Sequence, residues 1–261
     1  MKVRDLTPED KALYCVCLED WSDEMDEAGD HKCQWYEKMK DKGLRVKLAE
    51  DDNGVVGGMI QYVPLEYSFA EGENAYMILC IWVHGYKQGR GDFRHQGMGQ
   101  ALLTAAEEDT KALGASGLAA WGMTIPVFMR ASWFKKHGYE IVDKNGVQAL
   151  LWKPFKGGAL APKLIRPKKK PEKEEGHVTV HAFKNGWCPA SNLTYERAKG
   201  ASGQFGEKAV FKEYDTTDRE VFSEWGIVDG IFVDGKEVQT GPPPTYDKIY
   251  NIVKKKAKKI K

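Results

Sequence analysis

The chain opens on "MKVRDL", where apolar and polar residues alternate with the period of a strand. "TPEDKALYCVCLEDW" then predicts a helix over 7–21. Thr7 is placed to cap it, Pro8 fits its first turn, and Asp10 stands three residues after the cap. "HKCQWYEKMKDKG" predicts a second helix. "LRVKLAE" and "VVGGMIQYVPL" are strands about the turn Asp52-Asn53-Gly54, a strong hairpin signal. "AYMILCIWV" is too continuously apolar for an edge and is expected at the centre of a sheet. A helix over 100–113, a strand at "LAAWGM", a helix at "VFMRASWFKKHG" and a strand pair at "YEIVDKNGVQALLWKP" complete this part. The order is mixed α/β, an antiparallel meander feeding a crossover unit.

Residues 156–176, "KGGALAPKLIRPKKKPEKEEG", combine glycine, proline and charge as an interdomain linker does. The expected domains are therefore 1–155 and 177–261. The second reads as "HVTVHAF" (strand), "WCPASNLTYERAKG" (helix), "KAVFKEYD" (strand), "TDREVFSEWG" (helix), the hairpin "GIFVDGKEV" and the helix "TYDKIYNIVKKKAKK", a βαβαββα order. Charge separates the same two parts. Residues 1–155 carry a net −6 and the remainder a net +7, which cancel to +1 over 261 residues. The lysine runs "PKKKPEKEE" and "KKKAKKIK" lie in linker and tail without an interleaved aromatic platform, so no nucleic-acid partner is expected. No apolar stretch approaches a membrane span, and the N-terminus has no apolar signal core, so a cytoplasmic protein is expected. Five cysteines without regular spacing fit a reducing compartment.

The chemistry concentrates at "WVHGYKQGRGDFRHQGMGQALL", where a strand ends, the chain turns glycine-rich and basic, and a helix begins. Helix N-termini offer unpaired N–H groups and a positive dipole end, and glycine lets an anion approach the main chain. A phosphate ligand is the expectation. The run Arg94-His95-Gln96-Gly97-Met98-Gly99 resembles the R/Q-x-x-G-x-G/A pyrophosphate loop of the GNAT N-acetyltransferase superfamily. "FMRASWFKKHGYE" is similar to that family's later helix and closing G-F/Y. The resemblance covers roughly residues 1–155. It implies an acyl-CoA N-acyltransferase fold that takes acetyl-CoA as cosubstrate between two splayed central strands. Backbone groups near Trp82 and Val83 would hold the pantetheine arm, and residues 94–99, Arg94, His95, Gln96, Gly97, Met98 and Gly99, the pyrophosphate.

Two positions depart from the pattern. The family's tyrosine acid, four residues before the closing glycine, is Phe134 here. Its glutamate base, four residues before the strand-ending valine, is Leu79. His84 at the strand end becomes the candidate base, with Cys80 on the same strand face as a candidate thiol or a core residue. The insertion "GYKQGRGD" is either a flexible loop or a wall of the acceptor pocket. The run "EDWSDEMDEAGD", seven acidic residues in twelve, is either a solvated loop or an attractor of cationic amines. Cys15 and Cys17 would stand about 200° apart on a helix, so no metal site is expected.

In the second part, Trp187-Cys188-Pro189-Ala190-Ser191 closes a strand and opens a helix, where a cysteine gains thiolate character. Within the βαβαββα order it resembles the thioredoxin fold in a single-cysteine form, with Ser191 at the resolving position and Asp229-Gly230 where such folds usually carry a cis-proline. Thiol exchange, thiol-ligand binding at Cys188 and a structural role all remain open. The pairing of the two parts, with "FVDGKEVQTGPPP", is similar to two-part acetyltransferases labelled YoaP-like. The implied activity is acetyl transfer to a small-molecule amine or amino-acid derivative. The alternative is a non-catalytic CoA-binding protein that senses thiols through Cys188. Self-association into a homodimer stays open.

Overall fold

The computed structural model describes residues 1–238 and 241–260. Gln239 and Thr240, inside the stretch that carries the YoaP-like resemblance, lie outside the described residues, as does Lys261 in the lysine tail. The chain forms two compact units, one of residues 1–21 and 36–165, the other of 22–35 and 166–261.

In chain order the elements up to residue 165 are β1 (Lys2–Asp5), α1 (Lys11–Cys15), α2 (Asp23–Glu27), α3 (His31–Met39), β2 (Arg45–Glu50), β3 (Val56–Pro64) and β4 (Ala70–Glu71). β5 (Ala75–Val83), α4 (Met98–Ala112), β6 (Gly117–Met123), α5 (Ala131–Lys136), β7 (Glu140–Asn145), β8 (Gln148–Pro154) and β9 (Lys163–Leu164) follow. The first unit is built on a seven-stranded sheet of order β1-β2-β3-β5-β6-β8-β7. Its strands are antiparallel except at β5 and β6, which run parallel through the crossover helix α4. β5 is indeed central. Met98, Leu102, Leu103 and Ala106 form the apolar stripe of α4, and they pack with Ile60, Ile78, Leu118 and Phe134 in one core.

Three predicted elements differ from what forms. The helix expected over 7–21 is a 3-10 turn at Pro8–Asp10 and a helix that stops at Cys15. Cys17 and Leu18 take left-handed φ values of 53° and 66°, and the Leu18 N–H closes on Leu13 O at 3.1 Å. Leu18 is fully buried, so burying it turns the chain out of the helix. The helix expected over 127–138 begins only at Ala131, because Met123 N–H donates to Met129 O (2.7 Å) and Pro126 supplies no donor. The helix of the glycine loop begins earlier than expected, at Met98 rather than Gln100.

The second unit contains β10 (Val178–Lys184), α6 (Pro189–Gly203), β11 (Ala209–Asp215), α7 (Arg219–Trp225), β12 (Gly230–Val233), β13 (Lys236–Glu237) and α8 (Tyr246–Ala257), the expected element order. The sheet order is β11-β10-β12-β13, with β10 parallel to β11 and antiparallel to β12. Val178, Val180 and Ala182 pack with α6 and α8, whereas Phe183 packs with Trp225 of α7 and Ile227. That alternation is the strand period of two. The acidic run is more structured than a solvated loop. It forms α2, and Glu24 and Glu27 are bound by the nearly buried Arg197 at 3.0 and 2.7 Å.

Cys17, Cys80 and Cys188 carry no disulfide. Among the described residues no helix is long and apolar enough to cross a membrane. Among them, too, no cluster of His, Cys, Asp and Glu is disposed to hold a metal ion.

Candidate functional site

β5 and β6 pair only from Ala75–Ile78 against Gly117–Ala120. Past that point β5 stays paired with β3, and β6 with β8, so the two strands diverge and leave one edge of β5 open. A bulge sits at the divergence. Gln61 faces Cys80 while Tyr62 faces Ile78, which leaves Leu79 unmatched. Bulges bend a strand and increase its twist, and here the bend falls where the strands part. Trp121 of β6 reaches back to donate from Nε1 to Leu79 O at 2.7 Å.

Val83 ends the open edge beside the start of α4. A Cβ added at Gly99 would lie 3.8 Å from Val83 and 3.5 Å from Trp133. Gly97 caps α4 at φ +84°, a conformation that glycine takes at no steric cost. Ala101 N–H makes the first bond to Gly97 O (3.0 Å), so the amides of residues 98–100 point out of the helix end. Arg94, His95, Gln96 and Gly97 are exposed around that end. Arg94 is held by Asp92, with Nε and Nη2 donating to the two carboxylate oxygens at 2.9 and 2.6 Å. The Arg94 guanidinium and its backbone N–H hold the Asp92 carboxyl well below the usual carboxylate range. Gln96 donates to Asp92 O (3.1 Å). The whole run 94–99 thus stands at one helix end, next to the open strand edge.

His84 differs from the expected base. It is fully buried. Trp21 Nε1 donates to its Nε2 at 3.0 Å, and its Nδ1 meets Gly91 O at 2.6 Å. An indole N–H can only donate, so Nε2 is the acceptor and Nδ1 carries the proton. Both ring nitrogens are engaged, and the Nε2 lone pair is taken by the Trp21 N–H. What the ring does is hold the insertion. The Phe93 N–H also donates to His84 O (2.9 Å). Arg90 donates to Val56 O (2.9 Å) and binds Asp20 at 3.0 Å, and Gly89 lies against the Trp21 ring so closely that a Cβ would collide with it. "GYKQGRGD" is therefore fastened in place and not a flexible loop. This fastening needed the pairing of Trp21 with His84, 63 residues apart, and no local pattern announces it.

Cys80 is buried, and Tyr14, also buried, donates to Gln61 Oε1 (2.6 Å) opposite it on β3. Phe134 is wholly enclosed in the core, edge-on to Trp133 and Tyr139. An aromatic cluster that the sequence reading did not single out surrounds the strand ends: Trp21, Trp82, Tyr86, Trp121 and Phe128. In the second unit, Cys188 caps α6 with Pro189 in its first turn, and its N–H donates to Asn185 Oδ1 (3.3 Å). Asn185 donates in turn to Asp229 (3.1 Å), which also takes a hydrogen bond from Ser191.

The profile of the Acetyltransferase (GNAT) family matches residues 7–139. No curated protein matches the chain. Among solved structures, the PaiA N-acetyltransferase of Thermoplasma acidophilum in complex with coenzyme A is 19% identical, with 59% of this chain and 98% of that one covered at a TM-score of 0.43. The GNAT family N-acetyltransferase YhbS of Escherichia coli in complex with CoA is 14% identical, with 62% and 88% covered at 0.44. A GNAT family acetyltransferase of Brucella melitensis in complex with acetyl-CoA is 17% identical, with 61% and 90% covered at 0.40.

Proposed function

The chain belongs to the acetyltransferase (GNAT) family, and on that premise we propose that it moves the acetyl group of acetyl-CoA to the amine of a small molecule or amino-acid derivative. The observation that carries this reading is the parting of β5 from β6 beside the N-terminus of α4. An extended pantetheine arm finds unpaired main-chain groups near Trp82 and Val83, and a pyrophosphate finds the amides of residues 98–100 with Arg94 beside them. His95, Gln96, Gly97, Met98 and Gly99 complete the turn around that anion.

In the transfer, a neutral amine nitrogen attacks the thioester carbonyl carbon. The C–N bond forms, the C–S bond breaks, and CoA leaves as a thiolate that takes up a proton. The attacking nitrogen gives up one proton as the amide forms, a second having left the ammonium for solvent before the attack. Leu79 and Phe134 can move no proton, and His84 has both nitrogens in use. Rate enhancement then rests on holding amine and thioester together, which supplies up to about 7–11 kcal/mol in favourable cases. The same want of a proton carrier favours the second reading, a CoA-binding protein without turnover. Release of CoA in the presence of amines separates the two.

We read the second unit as a thioredoxin-like accessory domain with Cys188 as its thiol site. Its support is the order β11-β10-β12-β13, with α6 and α8 on one face and α7 on the other.

The test of the main reading is thermal. Acetyl-CoA at a hundred times its Kd should stabilise the full-length protein by about 2.7 kcal/mol. Gly99→Glu is the variant to compare. A glutamate in the first turn suits the helix dipole, so the fold should hold, while its charge repels a pyrophosphate. The variant should keep the wild-type melting temperature and lose the shift. No shift in the wild type at millimolar acetyl-CoA would refute the assignment.

A further inference from the structure

Where β5 and β6 part, five aromatic side chains stand in a continuous row: Trp21, Tyr86, Trp82, Phe128 and Trp121. Successive ring centroids are 5.5, 6.4, 5.9 and 6.0 Å apart. The interplanar angles lie between 41° and 61°, so no ring lies flat on the next. Phe128 touches both Trp82 on β5 and Trp121 on β6, so the row bridges the gap between the two strands. Its inner end reaches the divergence through the hydrogen bond from Trp121 to Leu79 O. Its outer members are far from buried: Trp21, Tyr86 and Phe128 are 38%, 43% and 41% exposed. Ile125 and Val127, beside Phe128, are exposed as well. A contiguous exposed aromatic patch marks a binding site more often than idle surface.

Charge narrows the ligand. Asp20, next to Trp21, is taken by Arg90. A single ammonium is attracted by aromatic faces. A very small aliphatic amine would leave most of the row uncovered. We infer that the acceptor is an arylalkylamine, a primary amine on a short chain from an aromatic ring, seated with its ring among Tyr86, Trp82 and Phe128. The amine points inward to the acetyl carbonyl near Leu79. The inference rests on the acetyl-transfer reading. The reaction converts the ammonium and acetyl-CoA into the N-acetylated arylalkylamine and CoA, with one proton released to water.

The full-length protein should be assayed for CoA release, by chromatography, with phenethylamine, ethylamine and spermidine at fixed acetyl-CoA. Phenethylamine should give a kcat/KM at least tenfold above either competitor. Phe128→Ala and Tyr86→Ala should each raise the KM for phenethylamine between about two- and tenfold, the range of a single aromatic contact. The KM for acetyl-CoA should stay within twofold in both. Spermidine or ethylamine matching phenethylamine, or an unchanged phenethylamine KM in both variants, overturns the inference and leaves acetyl transfer standing. No CoA release with any amine and no thermal shift with acetyl-CoA overturns both.

Discussion

At the glycine loop before α4, Arg94 is already engaged by a carboxylate two residues away. Any anion arriving at the helix end must share or displace Asp92. Exposed ion pairs contribute little, a few-fold in binding at most. Asp92→Asn should therefore tighten acetyl-CoA by up to about fivefold in low salt, read by calorimetric titration, with the gain fading as salt rises. Unchanged affinity would mean that Arg94 does not meet the phosphates. His84 poses a different residue-scale question, because a buried histidine at a strand end invites a catalytic reading. With Trp21 on one nitrogen and Gly91 on the other, it acts as a clasp. His84→Ala should release the insertion, so the acceptor KM should rise and the loop should become more open to proteolysis. The pH profile of kcat should keep its shape. A kcat that falls a hundredfold with a lost inflection would restore the histidine as a base.

One level up, the contact of α4 with the sheet depends on more than its apolar stripe. Asp109 on α4 accepts from Arg45 of β2 (2.9 and 2.7 Å), from Lys47 of β2 (3.2 Å) and from Tyr62 of β3 (2.6 Å). Burial opposes its ionisation, but the bonds from Arg45, Tyr62 and Lys47 outweigh it and bring its carboxyl down to about 2. A carboxylate lowered on folding adds stability above its unfolded value and loses it as pH falls through the folded one. Asp109→Asn should destabilise by about 1–3 kcal/mol near neutrality, as expected when charged hydrogen bonds are lost. The difference from wild type should shrink as pH falls from about 4 to 2, followed by chemical denaturation. A gap independent of pH would show that packing, not charge, sets the cost. Because α4 also presents the amides at 98–100, its seating on β2 and β3 is what aims them.

Over the whole molecule, the two units carry different chemistry, and the thiols offer a direct check on the second. Cys188 is partly exposed at a helix N-terminus, while Cys80 is buried in the sheet. In the native protein Cys188 should alkylate faster than Cys80, because a helix N-terminus favours the thiolate. Equal rates would remove thiol chemistry from the second unit.

The elements written as simple periods were legible from the chain alone. β5 as an apolar central strand, α4 as an amphipathic helix after a glycine run, and the βαβαββα order of the second unit all follow from spacings of two and 3.6 residues. The glycine-capped start of α4 was legible for the same reason, since glycine before a helix is a local signal. Tertiary structure decided the rest. α1 ends at Cys15 because Leu18 is buried elsewhere, and α5 starts late because Met123 and Met129 pair across Pro126. The role of His84 and the fastening of the insertion depend on Trp21, and the aromatic row draws on residues from 21 to 128. Local patterns report what a residue does with its near neighbours. A hydrogen bond or ring contact between distant residues exists only after the sheet has brought them together, so the surroundings of the β5 end were set by packing.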